Sequence, residues 1–547
     1  MGQNQPTETE ADRRIREIGP THALVELRDL SPDEQVINPT ALRELVQGPN
    51  AAANDPRGIQ IAGGRIEETL DLSYTDISVP LIFGRTTFSE RPDFSYCKVP
   101  SLDLLECELP GLDADFIDVA HSLTLHGTRV SGELRLQGAK IGANLDCVKA
   151  KVVAPDTGVN AQGIDIGGNA FLTDGFHCEG SLNVLGCHIS GVLNCSRATI
   201  TNPSAKAIDA DLSRIDGALS LEAAVITGEV SAIRAAIGSD LICSGAEITA
   251  NTDELQDALS LDGATIAGNA SFDQGFQASG CLRIVSTKII GSAMLHNANL
   301  IGKPESTSLA ATGAEIGLWF SLKGTTFSGR VALIGVKAAG LIDDLGTGEA
   351  RLGSWASANP LMLTNFRYDT ITGGATLNAD ERANWLEHTE TYDPLAWEHL
   401  RALYRAQGRE DDARRIAIAG QEDRRKRAKL SRLRKLGRWV LGISIRHGYR
   451  PALAGLWASL VIAAFAGFVA ASNAAKHPQF VPEKTTVTGK PQPVAYAVDV
   501  FLPIVDLGQS ENYAPQRAAR WVEWGVIIAG WALTTLFVAG FTSLVRT

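Results

Sequence analysis

The chain has 547 residues, 44% of them hydrophobic, with 50 Lys and Arg against 62 Asp and Glu for a formal net charge of −12. The length suits one extended domain or two compact ones, and a cytosolic location for the large N-terminal part argues against disulfides among the eight cysteines. The acid excess argues against nucleic acid as a partner, because phosphate neutralisation leads such binding.

The first residues, "MGQNQPTETEADRRIR", are polar and lack the apolar core of a signal peptide, so the N-terminal part is expected to stay in the cytosol. Within residues 1–59 the segment "NPTALRELVQG" predicts a helix with Asn38 as N-cap, Pro39 at its start and Gly48 as its stop. This helix is expected to cap the hydrophobic end of the first repeat coil.

Residues 60–352 carry a repeat. The blocks "SLTLHGTRVSG", "ELRLQGAKIGA", "SLNVLGCHISG", "ALSLEAAVITG" and "CLRIVSTKIIG" share the pattern x-Leu-x-apolar-x-x-small-x-apolar-x-Gly, and Leu123, Leu134 and Leu145 stand eleven apart. Apolar residues at i and i+2 share one face of a strand, and the closing glycine is expected to permit the turn. Short strands in series with no helical period predict a mainly β fold, a cytoplasmic β-solenoid of about eleven-residue units, two to a turn. "GNAFLTDGF" at Gly168–Phe176 recurs as "GNASFDQGF" at Gly268–Phe276. Polar inserts ("APDTGVN", "TNPSAK", "ANTDELQD", "GKPESTS") separate the blocks and are expected to leave at one corner. They read as a partner-binding ridge or as tolerated surface insertions.

Residues 353–437 predict a linker, a helical hairpin and a basic juxtamembrane helix. Asp393 and Pro394 start the first helix and Gly408 ends it, while Asp411 and Asp412 suit the first turn of the second. Leu395, Leu400, Leu403 and Tyr404 give an apolar stripe. Arg424, Arg425, Lys426, Arg427, Lys429, Arg432, Arg434 and Lys435 are expected to contact anionic lipid headgroups.

Residues 438–547 form a membrane module with spans near 452–472 and 525–545, each uncharged and about 20 residues long. Trp457, Trp521 and Trp524 suit an interfacial belt. Arg401 to Arg450 hold 16 Lys and Arg against five acids, which by the positive-inside rule places both termini in the cytoplasm. Between the spans lies "VAYAVDVFLPIVDLGQSENY", apolar yet carrying Asp499, Asp506 and Glu511 and interrupted by Pro503.

Two readings of that segment stand. In one, 494–508 is a re-entrant loop; a helix would set Asp499 and Asp506, seven apart, on one face, and a homo-oligomer would turn them, with Gly508 and Glu511 nearby, into the carboxylate-lined mouth of a cation pathway. In the other it lies on the membrane surface with its acids in water, and the protein is a non-conducting anchored platform for an unidentified cytosolic protein.

The order of β-coils, a single tetratricopeptide-like hairpin ("AWEHLRALYRAQGREDDARR"), a basic helix and two spans flanking "AYAVDVFLPIVDLGQ" is similar to that of a group of bacterial membrane proteins. Their soluble part is of the pentapeptide-repeat or bactofilin-like kind, and some carry the label "membrane-associated oxidoreductase". The resemblance covers most of the chain, rests on organisation, and implies an inner-membrane protein with a cytoplasmic β-helix. Related proteins place a two-span potassium-channel module after a similar hairpin. Here "PIVDLGQ" stands where their Thr-Val-Gly-Tyr-Gly filter core would be, so potassium selectivity does not follow.

The residues give the oxidoreductase label no support. A dinucleotide turn needs G-x-G-x-x-G between strand and helix, and in "GTGEARLG" Arg351 stands in the third glycine's place. No catalytic constellation and no cofactor are expected. The eight cysteines (Cys97, Cys107, Cys147, Cys178, Cys187, Cys195, Cys243, Cys281) form no C-x-x-C pair and read as buried thiols. His121, His126, His177 and His188 lack zinc spacing, and Asp165, Asp209, Asp211 and Asp262 read as a solvated face.

Overall fold

The computed structural model describes residues 9–18, 24–48, 55–250, 257–302, 305–346, 351–373, 378–427, 452–475, 479–483, 489–502 and 504–545. The chain forms two compact units, residues 1–396 and 397–547.

The first unit is a β-solenoid of about 12 turns over residues 59–342. Its strands lie in two parallel sheets, of 24 and 19 strands among the described residues. Asp118 pairs with Lys140 and Leu123 with Leu145, so one turn takes 22 residues, two eleven-residue units. Each unit sends its apolar residues inward, and Leu123, Leu134 and Leu145 are buried.

The turn between strands is not made by the closing glycine of the motif. It is made two or three residues after the second apolar position, where the backbone enters the left-handed region and the N–H of the next small residue bonds back three residues. Tyr96 (φ 57°) and Arg197 (φ 56°) adopt it, as does Gly138. The closing residues of these turns, Cys97, Ala139 and Ala198, are small and buried, which is why cysteine and alanine share that position. The motif's final glycine serves close stacking instead: a Cβ on Gly142 would stand 2.1 Å from the Ala120 carbonyl oxygen of the coil below.

The hundred-residue repeat has a physical counterpart. The amide of Val192 donates to Asn169 Oδ1 at 3.0 Å, and that of Ser292 donates to Asn269 Oδ1 at 2.9 Å.

The inserts that begin in strands Lys151–Asn160 and Thr199–Asp209 share one corner, and from Lys151 onward inserted coils alternate with uninserted ones among the described residues. Strand Lys151–Asn160 is followed at that corner by His177–Asn183, then Thr199–Asp209, then Val225–Ser231, with register breaks where the longer strands bulge. In the intervening coils a left-handed glycine lets the chain pass tightly beneath. At Gly228 (φ 121°) a Cβ would lie 2.3 Å from the Asn202 carbonyl oxygen. The same alternation continues through the pairings of Val225–Ser231 with Glu247–Thr249 and Asp257–Ser260.

Both ends of the sheets run past the repeat. Leu24–Glu26 and Val36–Ile37 pair with the first coil, and helices α1 (Glu10–Arg16) and α2 (Pro39–Gln47) cover it. Asn38 caps α2 through Thr40 N–H with Pro39 in the first turn, as its sequence predicts. At the other end Ala358–Met362 and Arg367–Thr372, assigned from sequence to a linker, continue the two sheets. Helix α3 (Ala379–Glu387) comes next.

One buried ion pair fixes that end. Arg382 on α3 grips Asp343 with both terminal nitrogens, at 2.7 and 2.8 Å, and Trp355 Nε1 donates to the same carboxylate at 2.9 Å. Asp343 and Arg382 are both 0% exposed. The guanidinium also lies 5.2 Å from the centre of the Trp385 ring.

The hairpin comprises α4 (Pro394–Ala406), within which the boundary of the two units falls, and α5 (Glu410–Arg427), separated by Gly408 as expected. Its core is Trp397, Leu400, Tyr404, Ala413 and Ile416, with Gly420 against the Trp397 ring. Leu395, placed in the stripe from sequence, is exposed instead. Helices α6 (Ala452–Ala474) and α8 (Ala518–Val545) are long and apolar enough to cross a membrane, over Leu453–Ala474 and Ala518–Val538. The second span starts seven residues before its sequence-based boundary and takes in Arg520 and Glu523.

Breaking the Asp343 cluster is expected to be costly. Asp343→Ala leaves a buried guanidinium uncompensated, about 3–5 kcal/mol, read as a lower urea midpoint in the emission of the neighbouring tryptophans. Asp343→Leu combined with Arg382→Met is expected to recover most of that loss; a double variant no better than the single one contradicts the assignment.

Candidate functional site

The segment between the two long apolar helices folds on them. Helix α7 (Pro493–Phe501) begins at Pro493, which suits a first helical position, and ends at Phe501. It packs on α6 through Tyr496, whose ring centre is 6.1 Å from that of Phe465, and on α8 through Gly530. A Cβ on Gly530 would stand 1.9 Å from the Phe501 carbonyl oxygen, so only glycine allows this approach. Strands Phe480–Pro482 and Tyr513–Pro515 pair antiparallel beside it, and Phe480 and Tyr513 join the same buried cluster.

Helix α7 stops before Asp506, so the two aspartates do not share a helical face. Asp499 is 8% exposed and folds the loop around itself. Its Oδ1 accepts the Leu507 N–H at 2.6 Å, and its Oδ2 accepts those of Gln509 and Ser510 at 2.8 and 2.6 Å. Burial pushes the carboxyl pKa up, but these amides outweigh it and hold the group below its ordinary value. Asp499 is thus a structural anion, a clamp on the loop.

Asp506 is exposed and accepts a short turn bond from Gly508 N–H at 2.8 Å. Gly508 takes a left-handed conformation (φ 67°) at that turn, and Glu511 is exposed nearby. Around Asp506 the loop presents Ile504, 87% exposed, with Val505 and Leu507. Pro503 lies outside the described residues.

Sequence reasoning missed Glu523. It sits in the second turn of α8, buried, and accepts a hydrogen bond from the Tyr496 hydroxyl at 2.8 Å. The signal was Pro515 followed by "QRAARWVEW", a helix start upstream of the uncharged run.

Of the headgroup set, Arg424, Arg425, Lys426 and Arg427 lie at the end of α5, where cations suit the helix dipole. Arg427 pairs with the buried Asp423. Lys429, Arg432, Arg434 and Lys435 lie outside the described residues.

The solenoid's charged residues pair both between coils and within one. His188 bridges Asp165 and Asp216 at 2.9 and 3.3 Å, Lys206 meets Asp209 and Asp211, and Asp262 holds Arg283. All eight cysteines are buried, and burial pushes thiols such as Cys107 and Cys187 up to about 12. Gly167 and Gly168 lead into strand Ala170–Phe171 and not into a helix. Among the described residues no three His, Cys, Asp or Glu side chains are grouped to hold a metal ion.

No family model matches the chain, and no curated protein matches it. The site therefore has to be read from its own geometry.

The clamp yields a test. Asp499→Ala strips three amides of their acceptor, each worth about 1–3 kcal/mol when left unpaired. Limited proteolysis of the detergent-solubilised protein is expected to cut 502–512 at least tenfold faster in this variant, and within twofold of the parent in Asp506→Ala. Because the folded carboxyl titrates low, its contribution is full above the unfolded value of about 3.9 and is lost only as pH falls through the folded value. Protection in the parent should accordingly stay flat from pH 8 to pH 5. Equal cutting of parent and Asp499→Ala would remove the clamp.

Proposed function

We propose that the chain is a bacterial inner-membrane protein whose cytoplasmic β-solenoid serves as scaffold or sensor. In this reading its two-span module assembles with copies of itself into a cation pathway, and the hairpin α4–α5 couples the two. The observation that carries it is the span, half-helix, span arrangement. Helix α7 is seated between α6 and α8 and ends at a loop whose tip combines Asp506 with exposed Ile504, Val505 and Leu507. Two spans cannot enclose a pathway, and that apolar tip has a natural cover in a neighbouring copy.

In the assembled module Asp506 supplies the ring of carboxylates at the mouth, and the carbonyl end of α7 adds a partial negative charge. Asp499 is assigned to loop shape, not to ion contact. The basic end of α5 faces anionic headgroups, with the termini cytoplasmic.

The second reading, an anchored platform that does not conduct, is favoured by the solvent-facing, internally bonded loop. Ionic current through the purified protein in a planar bilayer separates the two. The parent is expected to conduct cations, and Asp506→Asn to lower conductance or cation preference at least twofold at low salt. Silence of both under all conditions, or a strict monomer by detergent-corrected mass, rejects the pathway.

A further inference from the structure

Charge is unevenly spread along the solenoid. Residues 59–280 hold 13 Lys and Arg against 30 Asp and Glu, whereas residues 281–342 hold six against two. Two of these six, Lys288 and Lys337, share one outer face with Arg367 of the strand that follows. Lys288, Glu315, Lys337 and Arg367 stand opposite one another on four successive strands of the larger sheet. They line a groove of about 510 Å³, floored in part by Gly317 and Ala339.

Glu315 is answered by Lys337, whose Nζ lies 2.8 Å away. Asp369 also lines the groove, which leaves three cations against two carboxylates.

An apolar flank adjoins these charges. Strand Glu315–Ser321 breaks register between Ile316 and Trp319, and the bulge turns Leu318 outward. Leu318 is 53% exposed and Ile290, on the groove itself, 52%. The Trp319 ring lies against Gly340, where a Cβ would come within 2.2 Å of it. Trp319 and Arg367 are of the residue types enriched in protein-binding hot spots, and Leu318 and Ile290 add exposed apolar area beside them.

We propose that this groove docks a protein partner through an acidic segment, its carboxylates on Lys288, Lys337 and Arg367 and an apolar side chain on Ile290, Leu318 and Trp319. The inference rests on the scaffold reading of the solenoid and is independent of conduction. Charge selects the place as well as the partner. The acid-rich earlier coils repel the same segment, so it is steered to this end of the solenoid.

The test uses the full-length protein in detergent and two fluorescein-labelled dodecapeptides, one alternating glutamate with leucine and one alternating lysine with leucine. Fluorescence anisotropy is expected to show the glutamate peptide binding at least tenfold more tightly. Lys337→Glu with Arg367→Glu should weaken it at least tenfold, and Trp319→Ala several-fold, while Lys140→Glu on an earlier coil leaves it unchanged. All variants are first checked for parental circular dichroism and melting.

Equal binding of the two peptides, or binding indifferent to the groove variants, overturns the proposal. So does displacement by phosphatidylglycerol micelles at concentrations below those needed of unlabelled peptide, which would assign the groove to lipid. Bilayer currents recorded on the same preparations keep the two readings apart. Conduction without peptide binding removes the groove alone, and peptide binding without conduction removes the pathway alone.

Discussion

The structure depends on one constraint: each coil must hydrogen-bond to the coil beneath it around most of its perimeter, at the strand spacing of about 4.8 Å. A side chain that stands between coils has nowhere to go. Hence the small residues that close each turn, such as Ala139 and Cys97, and hence the glycine at 142 where a carbonyl oxygen lies directly below. The same constraint explains the ends. A stack of coils stops with its last layer unpaired, and an uncovered layer is an open sheet edge. Helices α1 and α2 close one end, and the Asp343–Arg382 pair draws α3 to the other.

The unit with the two long apolar helices meets a related problem by a different route. A chain that leaves a helix without a strand partner must satisfy its amides by other means. Here a single side chain, Asp499, gathers three of them. The residue that stands out as a charge in an apolar segment is thereby accounted for by backbone chemistry, and Asp506 and Glu511 are the loop carboxylates at the surface.

The sequence was most legible where the constraint acts on every coil. The eleven-residue spacing of Leu123, Leu134 and Leu145 translated directly into register, and the first two inserts into one corner. The role of the motif's glycine was misjudged because a glycine required for close approach and one required for a left-handed turn look alike in a sequence. Only the register tells Gly142 from Gly138. The strands Ala358–Met362 and Arg367–Thr372 were missed because they are paired without the repeat pattern, held by neighbours that sequence does not show. Helix α3 had its signal, Asn378 followed by Asp380 and Glu381, but too short a period behind it. In the loop the acids were visible and their division of labour was not. Which of Asp499 and Asp506 meets the backbone is decided by where α7 ends.

The alternation of inserted and glycine-tightened coils has a further consequence. Successive inserts stand about two strand spacings, roughly 10 Å, apart. The first two reach across that gap, the Asn202 side-chain amide donating to the Asp156 carbonyl oxygen over the glycine-tightened coil between them. A change of length in one insert is thus felt by its neighbour, and the corner that begins at Lys151–Asn160 presents one continuous surface made from stretches of chain far apart in sequence.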